Sequence, residues 1–371
     1  MRSMNRRKLN SSYGIGFILS LGVLLLITFL GGCSSELDTP APTQTTSEMA
    51  VIKVMTHDSF SISEDVLNEF EEQNFIKVQF IKGGDTGTAL NKAILSKNNP
   101  LADVFYGVDN TFLSRALNED IFEPYNSPLL ENIDMIYQQD PQKRALPVDS
   151  GDVCLNYDVG YFESHELNPP TSLDDLVKPE YEGLLVVQNP ATSSPGLSFL
   201  LATIGMYGSD GYLDYWGRLL ENNVLIVNDW ETAYYTEFSG SSGKGPRPIV
   251  VSYNSSPAFE VIYAETPIEE PPTAAIVSDD TCFRQIEFAG ILKGTQNRAL
   301  AEKWIDFMLS PSFQEDMPLQ MFVFPVNNQA KLNPAFTTHL AIPGKTAYVS
   351  PEDIAAHREE WLQEWTEAVL R

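Results

Sequence analysis

Aromatic rings, carboxylates and hydroxyls recur together at a few places in this chain: His57 with Asp58 and Ser59, Asp85, Asp109, Trp230, Tyr253, Phe259, and Phe322 near Phe324. An aromatic face attracts a cation by about 0.5–2 kcal/mol, more where water is excluded, and a carboxylate adds opposite charge. Such a set suits a flat, cationic or amine-bearing small molecule. Each ring taken singly is more simply a core residue, because aromatics dominate core energetics. Their joint placement in expected loops is what favours a binding site. Catalytic signatures are missing: there is no His-Glu-x-x-His, Gly-x-Ser-x-Gly, P-loop or Gly-x-Gly-x-x-Gly. The histidines at 57, 165, 339 and 357 are scattered, and neither Cys154 nor Cys282 has a second Cys at metal-ligand spacing, which argues against a zinc site. Acidic residues are so abundant that chance carboxylate pairs say nothing about hydrolysis.

The elements that must position these residues alternate between strand and helix. Val51 to Met55 is strand-like, and Ser63 then caps a helical pattern with Val66, Leu67 and Phe70 on one face. A second strand runs from Lys77 to Ile81, the Gly83 to Gly87 turn leads to a helix over Thr88 to Leu95, and Ala102 to Gly107 is a third strand. This order predicts an α/β layer with a largely parallel sheet, whose ligands gather beyond the carboxyl ends of strands. Those ends are His57-Asp58-Ser59, Gly83 to Gly87, and Asp109-Asn110.

A second α/β unit follows an extended segment near Val153 to Tyr157. Its strands are Leu184 to Gln188, Val224 to Val227 and Ile249 to Ser252; its helices run from Pro195 to about Tyr207, from Tyr212 to Glu221, and from Trp230 onward. Phe283 to Ala289 then returns as a strand to the first unit, followed by helices at Arg298 to Leu309 and Pro351 to Leu370, so the chain crosses between two lobes twice. Four Ser-Pro pairs, at 194, 256, 310 and 350, read as helix starts with Ser as the cap and Pro at the first helical position. The first two follow directly after strands, where free backbone N–H groups could hold a ligand oxygen.

The chain of 371 residues carries 24 Lys+Arg against 50 Asp+Glu, a formal charge of −26, which argues against nucleic-acid or anionic-membrane partners reached through a basic surface. Its 43% hydrophobic content is enough for a large core. Arg2, Arg6, Arg7 and Lys8 precede an uncharged run, Ile15 to Leu30, and the pattern is a secretory signal. The run is short for a bilayer span and is followed at once by Gly31-Gly32-Cys33 and a polar tract. That sequence resembles a bacterial lipoprotein box, so residues 1–32 are expected to be removed and Cys33 lipidated. Export then takes the charge to −30, because the lost segment holds four basic residues and no acidic one. Residues 33–49, rich in Ser, Thr and Pro, read as a flexible tether. Cys154 and Cys282 are either a disulfide or two buried free thiols; spacing leaves both open.

With these motifs in view, the sequence resembles the thiamine-binding subunits of ABC importers. The resemblance rests on Lys53 to Phe60 (KVMTHDSF), Ala102 to Asn110, Asn189 to Leu197, Trp230 to Tyr234, Ser252 to Phe259, Ser310 to Gln314, Phe324-Pro-Val-Asn327 and the Trp-bearing C-terminal helix. It implies an α/β, two-lobed type II periplasmic-binding-protein fold with a hinge of crossing strands and a cleft between lobes. Lobe 1 would be residues 50–152 and 280–371, and lobe 2 residues 153–279. It further implies thiamine or a thiamine phosphate as ligand, no cofactor, no catalysis, ABC permease subunits as partners, and a monomer anchored by lipid outside the cytoplasm. Carried over by position, Trp230, Tyr253 and Phe259 would pack on the thiamine rings, Asp85 would be a polar partner, and Ser193 would meet the hydroxyethyl or phosphate end. His57 stands where better-known members have Tyr, and Phe259 and Phe322 where they have Tyr and Trp.

Two alternatives come from other classes. Ferric-binding members of the superfamily use adjacent tyrosines, and Tyr234-Tyr235 is such a pair, although displaced from the strand end where Tyr253-Asn254 lies. A thiaminase-like transferase of the same fold would need a cleft Cys activated by a base, and Cys154 is the available nucleophile.

Overall fold

The computed structural model describes residues 49–241 and 244–371. The expected signal segment, the lipidation site Cys33 and all of the tether but Met49 lie outside the described residues. Residues from Met49 onward form one compact unit.

Among the described residues the eleven strands are β1 (Ala50–Thr56), β2 (Ile76–Lys82), β3 (Val104–Asp109), β4 (Phe122–Glu123), β5 (Leu146–Asp158), β6 (Leu185–Gln188), β7 (Leu225–Val227), β8 (Ile249–Tyr253), β9 (Thr273–Ile276), β10 (Phe283–Leu292) and β11 (Phe324–Pro325). The main path of the sheet is β2-β1-β3-β10-β5-β8-β6-β7. β2, β1 and β3 are mutually parallel, and so are β8, β6 and β7. Between these two triplets run β10 and β5, antiparallel to each other, to β3 and to β8. The two α/β halves expected from the element order are thus joined through two long strands. β5 itself changes partner along its length, pairing with β10 up to Val153 and with β8 from Val153 to Tyr157.

The hydrophobic pattern explains this arrangement. All six residues of β3 and all of β6 are buried, as strands covered by helices on both faces must be. One aromatic cluster, Phe70, Phe80, Trp304, Phe307 and Phe313, fixes the helices Glu64–Asn74, Arg298–Leu309 and Pro311–Met321 on the first half. A second contact, Trp216 edge-on to Trp365 at 5.2 Å, seats the C-terminal helix Pro351–Val369 against Tyr212–Glu221.

Several local expectations shift by a residue or two. The helix expected from Thr88 begins at Thr86, because Asp85 caps it through a 2.8 Å bond from the Thr86 N–H. Ser310 and Ser350 cap their helices as the Ser-Pro pattern requires, accepting from Phe313 and Asp353. After β6 and β8, however, the caps are Ser193 and Ser255, one residue earlier, and neither side chain bonds its own helix. Ser63 stands at a cap position without a side-chain bond. The helix expected from Trp230 does begin there, and it continues as π-helix over Thr232–Glu237.

Cys154 and Cys282 form a disulfide, which closes the alternative of two free thiols. It also corrects the transferase alternative: Cys154 has no thiol to act as a nucleophile.

Candidate functional site

The parallel strands of the two halves run in opposite directions, so their carboxyl ends face each other across the middle of β5, β3 ending level with Asp149 and β8 level with Val153, and the sequence-identified residues lie there. On the first half, β1 runs into His57, β2 into the Gly83 to Asp85 turn, and β3 into Asp109. On the second, β6 leads to Ser193, β7 to Trp230, and β8 ends at Tyr253 just before the helix Ser256–Ile262 that carries Phe259. Phe322 arrives from behind, ending the helix Pro311–Met321 in a left-handed conformation with φ 62°. A left-handed conformation in a bulky residue is strained, and a bond from the Ser255 hydroxyl to the Phe322 carbonyl holds it in place.

The rings form one wall. Trp230 stacks on Tyr234 at 5.1 Å and meets Phe322 edge-on at 5.6 Å and Tyr253 at 6.4 Å. Phe259 lies against Phe322 with ring centres 3.5 Å apart. The Trp230 indole N–H donates to Ser252 Oγ at 3.0 Å, so the large ring is held by its polar end as well as by packing. Tyr234 was a sequence candidate only for a metal pair. Its hydroxyl donates to Glu260 at 2.7 Å and its ring backs Trp230, which commits it to the wall.

The carboxylates face this wall. Asp85 does two jobs: one oxygen caps its helix, and the other accepts the backbone N–H of Trp230 at 3.3 Å, linking the first half to the second. A second link runs from the Gly87 N–H to the Thr192 carbonyl, 3.1 Å away. Only glycine permits that approach, since a Cβ there would sit 2.7 Å from the Ala191 carbonyl oxygen. Burial raises the Asp85 pKa, opposed by the Thr86 N–H, His57, the Ser193 hydroxyl and the Trp230 N–H. His57 is buried beside β3, where Gly107, at φ +103°, leaves room for the imidazole; a Cβ would come within 2.3 Å of it. Its Nε2 is 3.5 Å from Glu287 of β10. Burial lowers the imidazole pKa, but Glu287, by charge and hydrogen bond, and Asp85 more than offset this, so the net shift is upward.

Asp109 is fully buried, and one of its oxygens accepts from the Thr111 N–H, the Thr111 hydroxyl and the Phe112 N–H at 2.6–3.1 Å. It therefore shapes the turn after β3. Burial pushes its pKa up to about 6. The folded state then holds this proton more tightly than the unfolded chain, whose carboxyl titrates near 3.8. This residue's contribution to stability is expected to fall by about 2 kcal/mol as pH rises from 4 to 6. Asp109→Asn is expected to flatten that slope in urea-denaturation curves taken across this range; an unchanged slope would contradict it.

Three further residues belong to the site and were not identified from the sequence: Tyr106, Asp149 and Glu287. Tyr106 Oη donates to Asp149 at 2.6 Å and lies 3.1 Å from Glu287, all three buried. Gln285, two residues before Glu287, accepts from the Tyr253 hydroxyl at 3.3 Å and ties the acidic group to the aromatic wall. The signal available in the sequence was a carboxylate inside an apolar strand, in Leu146-Pro-Val-Asp149 and Ile286-Glu287-Phe288. A charged residue there is too costly to bury without a purpose.

Two α/β halves joined by crossing strands, with aromatic and acidic residues gathered where their strand ends meet, define a two-lobed solute-binding protein. Residues 99–350 match the bacterial extracellular solute-binding protein family, and this chain belongs to that family. It is 30% identical over 333 residues to the thiamine-binding periplasmic protein of Salmonella typhimurium, covering 86% of this chain and 94% of that one. The protein of the same name from Brucella suis is 30% identical over 330 residues, 86% of this chain and 92% of the other. Among solved structures, a periplasmic thiamin binding protein superposes with a TM-score of 0.74 at 27% identity, covering 86% of this chain and 96% of that one. Membership agrees with an extracytoplasmic chain and with the fold expected from the sequence.

Proposed function

We propose that this chain captures thiamine, or a thiamine phosphate ester, outside the cytoplasm and delivers it to an ABC importer without transforming it. The observation that carries the reading is the site's composition: an aromatic wall of Trp230, Tyr253, Phe259 and Phe322 faces the acidic residues Asp85, Asp109 and Glu287. Thiamine is a flat, two-ring cation, so rings and carboxylates supply the two interactions it offers. The likeness to proteins named as thiamine-binding supports the same ligand. Ser193, with no bond to its own helix, suits the hydroxyethyl or phosphate end.

In this reading residues 50–152 and 280–371 form one lobe and 153–279 the other, with the C-terminal helix crossing back to rest on the second, and β5 and β10 act as the hinge. The contacts of Asp85 with Trp230, Gly87 with Thr192 and Ser255 with Phe322 belong to the closed form. Ligand shifts the lobes toward closure only by its differential affinity for that form, and permease subunits recognise the result. The chain acts as a monomer, held at the membrane by lipid on Cys33 and the tether up to residue 49. Titration calorimetry of the full chain against thiamine, its mono- and diphosphate, and Fe(III) tests the reading. Binding of at least one thiamine form is expected. Heat with Fe(III) alone, or with none of these, would overturn it.

A further inference from the structure

Beneath the aromatic wall, Asp149 of β5, Glu287 of β10, Tyr106 of β3 and His57 after β1 form one buried polar cluster. The Tyr106 hydroxyl oxygen is 2.6 Å from Asp149 Oδ2 and 3.1 Å from Glu287 Oε2. One hydroxyl carries one proton and can serve only one of those contacts. One of the two carboxylates around it therefore has to carry a second proton, because bare like charges this close do not both persist in a dry site. His57, 3.5 Å from Glu287 Oε1, lies on the opposite side and leaves Glu287 the natural holder of the negative charge. The other oxygen of Asp149, Oδ1, is buried with no hydrogen-bond partner.

We propose that this cluster is a proton-exchanging counter-ion: Asp149 holds a proton while the cleft is empty and gives it up when a cation binds. The inference rests on the proposed ligand being cationic. The step balances in charge, since the Asp149 O–H bond breaks, the proton leaves to solvent, and the carboxylate formed offsets the incoming positive charge. Asp149 and Glu287 thereby determine selectivity for cations without needing to touch the ligand.

The groups facing the cluster agree with this. From β3 come Tyr106 and Asp109; from the segment after β1, His57; from β8, Tyr253; from β2 and the turn after it, Lys82 and Asp85. Burial and the neighbouring Glu287 raise the Asp149 carboxyl far above its usual range, whereas His57 holds Glu287 ionised. A cation in the cleft adds the one interaction that would favour a second carboxylate.

The test is titration calorimetry of the full chain with thiamine at pH 6 to 8, in phosphate and in Tris, which differ in ionisation enthalpy. The expected result is release of up to one proton per ligand and affinity that tightens as pH rises, approaching tenfold per unit. Asp149→Asn should still bind but with proton release and pH dependence largely lost, and Tyr106→Phe should alter both. Binding whose enthalpy is the same in both buffers and whose affinity is flat with pH would overturn the exchange while leaving the ligand assignment standing. No binding of thiamine in any buffer would overturn the ligand assignment and the exchange with it.

Discussion

Trp230→Ala is expected to weaken thiamine binding by about 1–3 kcal/mol, roughly five- to 150-fold, while leaving the fold intact. The substitution is informative because the backbone and ring of Trp230 do different work. Its N–H, which bonds Asp85, is retained in alanine, so the link between the two halves survives. What is lost is a ring that stacks on Tyr234 and meets Phe322 and Tyr253. Stability falls as well, because truncating a buried Trp costs about 3–5 kcal/mol, and Trp230 is only 7% exposed. Affinity and stability therefore have to be measured separately, the first by calorimetry and the second by denaturant unfolding. Trp230→Phe separates them further. It keeps an aromatic face and loses only the N–H to Ser252, whose hydroxyl still has Ser256 at 2.9 Å. Phenylalanine should recover most of the binding. An alanine variant with unchanged affinity and reduced stability would assign Trp230 to the core alone.

The same residue shows how far the sequence could be read. Strand and helix periodicity placed both halves and the return strand at Phe283, because alternating buried strands and amphipathic helices leave a strong pattern. Placing the site at strand ends groups His57, Asp85, Trp230 and Tyr253, and in the structure the strand ends that carry them face each other across the middle of β5. Local electrostatics were harder to read. The resemblance makes Asp85 a polar partner of the ligand, and nothing in the sequence tells that its carboxylate is also divided between a helix cap and the Trp230 N–H. Asp109 likewise spends one oxygen on the turn at Thr111. Tyr106, Asp149 and Glu287 escaped notice because their contacts span 43 and 181 residues of chain, and no spacing rule reaches that far. The disulfide was undecidable for the same reason. Only the antiparallel register, with Phe283 opposite Val153, sets Cys282 across from Cys154.

That register makes Cys154 and Cys282 the site of the second large effect. The bond joins β5 to the residue just before β10, so it ties together the two strands that connect the halves, at the point where β5 also pairs Cys154 with Ser252 of β8. It closes a loop of 128 residues containing nearly the whole second half. Chain entropy alone puts the stabilisation from so long a loop at about 5 kcal/mol, and measured values for such bonds commonly fall at about 2–4 kcal/mol. Cys154→Ala with Cys282→Ala should therefore lower the free energy of unfolding by about 2–5 kcal/mol, a large share of the 5–15 kcal/mol typical of a folded domain. Alanine is the better replacement than serine, since both sulfurs are buried and a hydroxyl there would need a partner. Ligand affinity should change little, because the bond lies within the connecting strands and touches none of the wall rings. Burial also predicts that reductant acts only through unfolding: with dithiothreitol the denaturation midpoint should drop toward that of the double variant, while the native protein at low temperature keeps its bond. Equal unfolding midpoints for the wild type and the double variant would show that β-sheet pairing alone holds the two halves together.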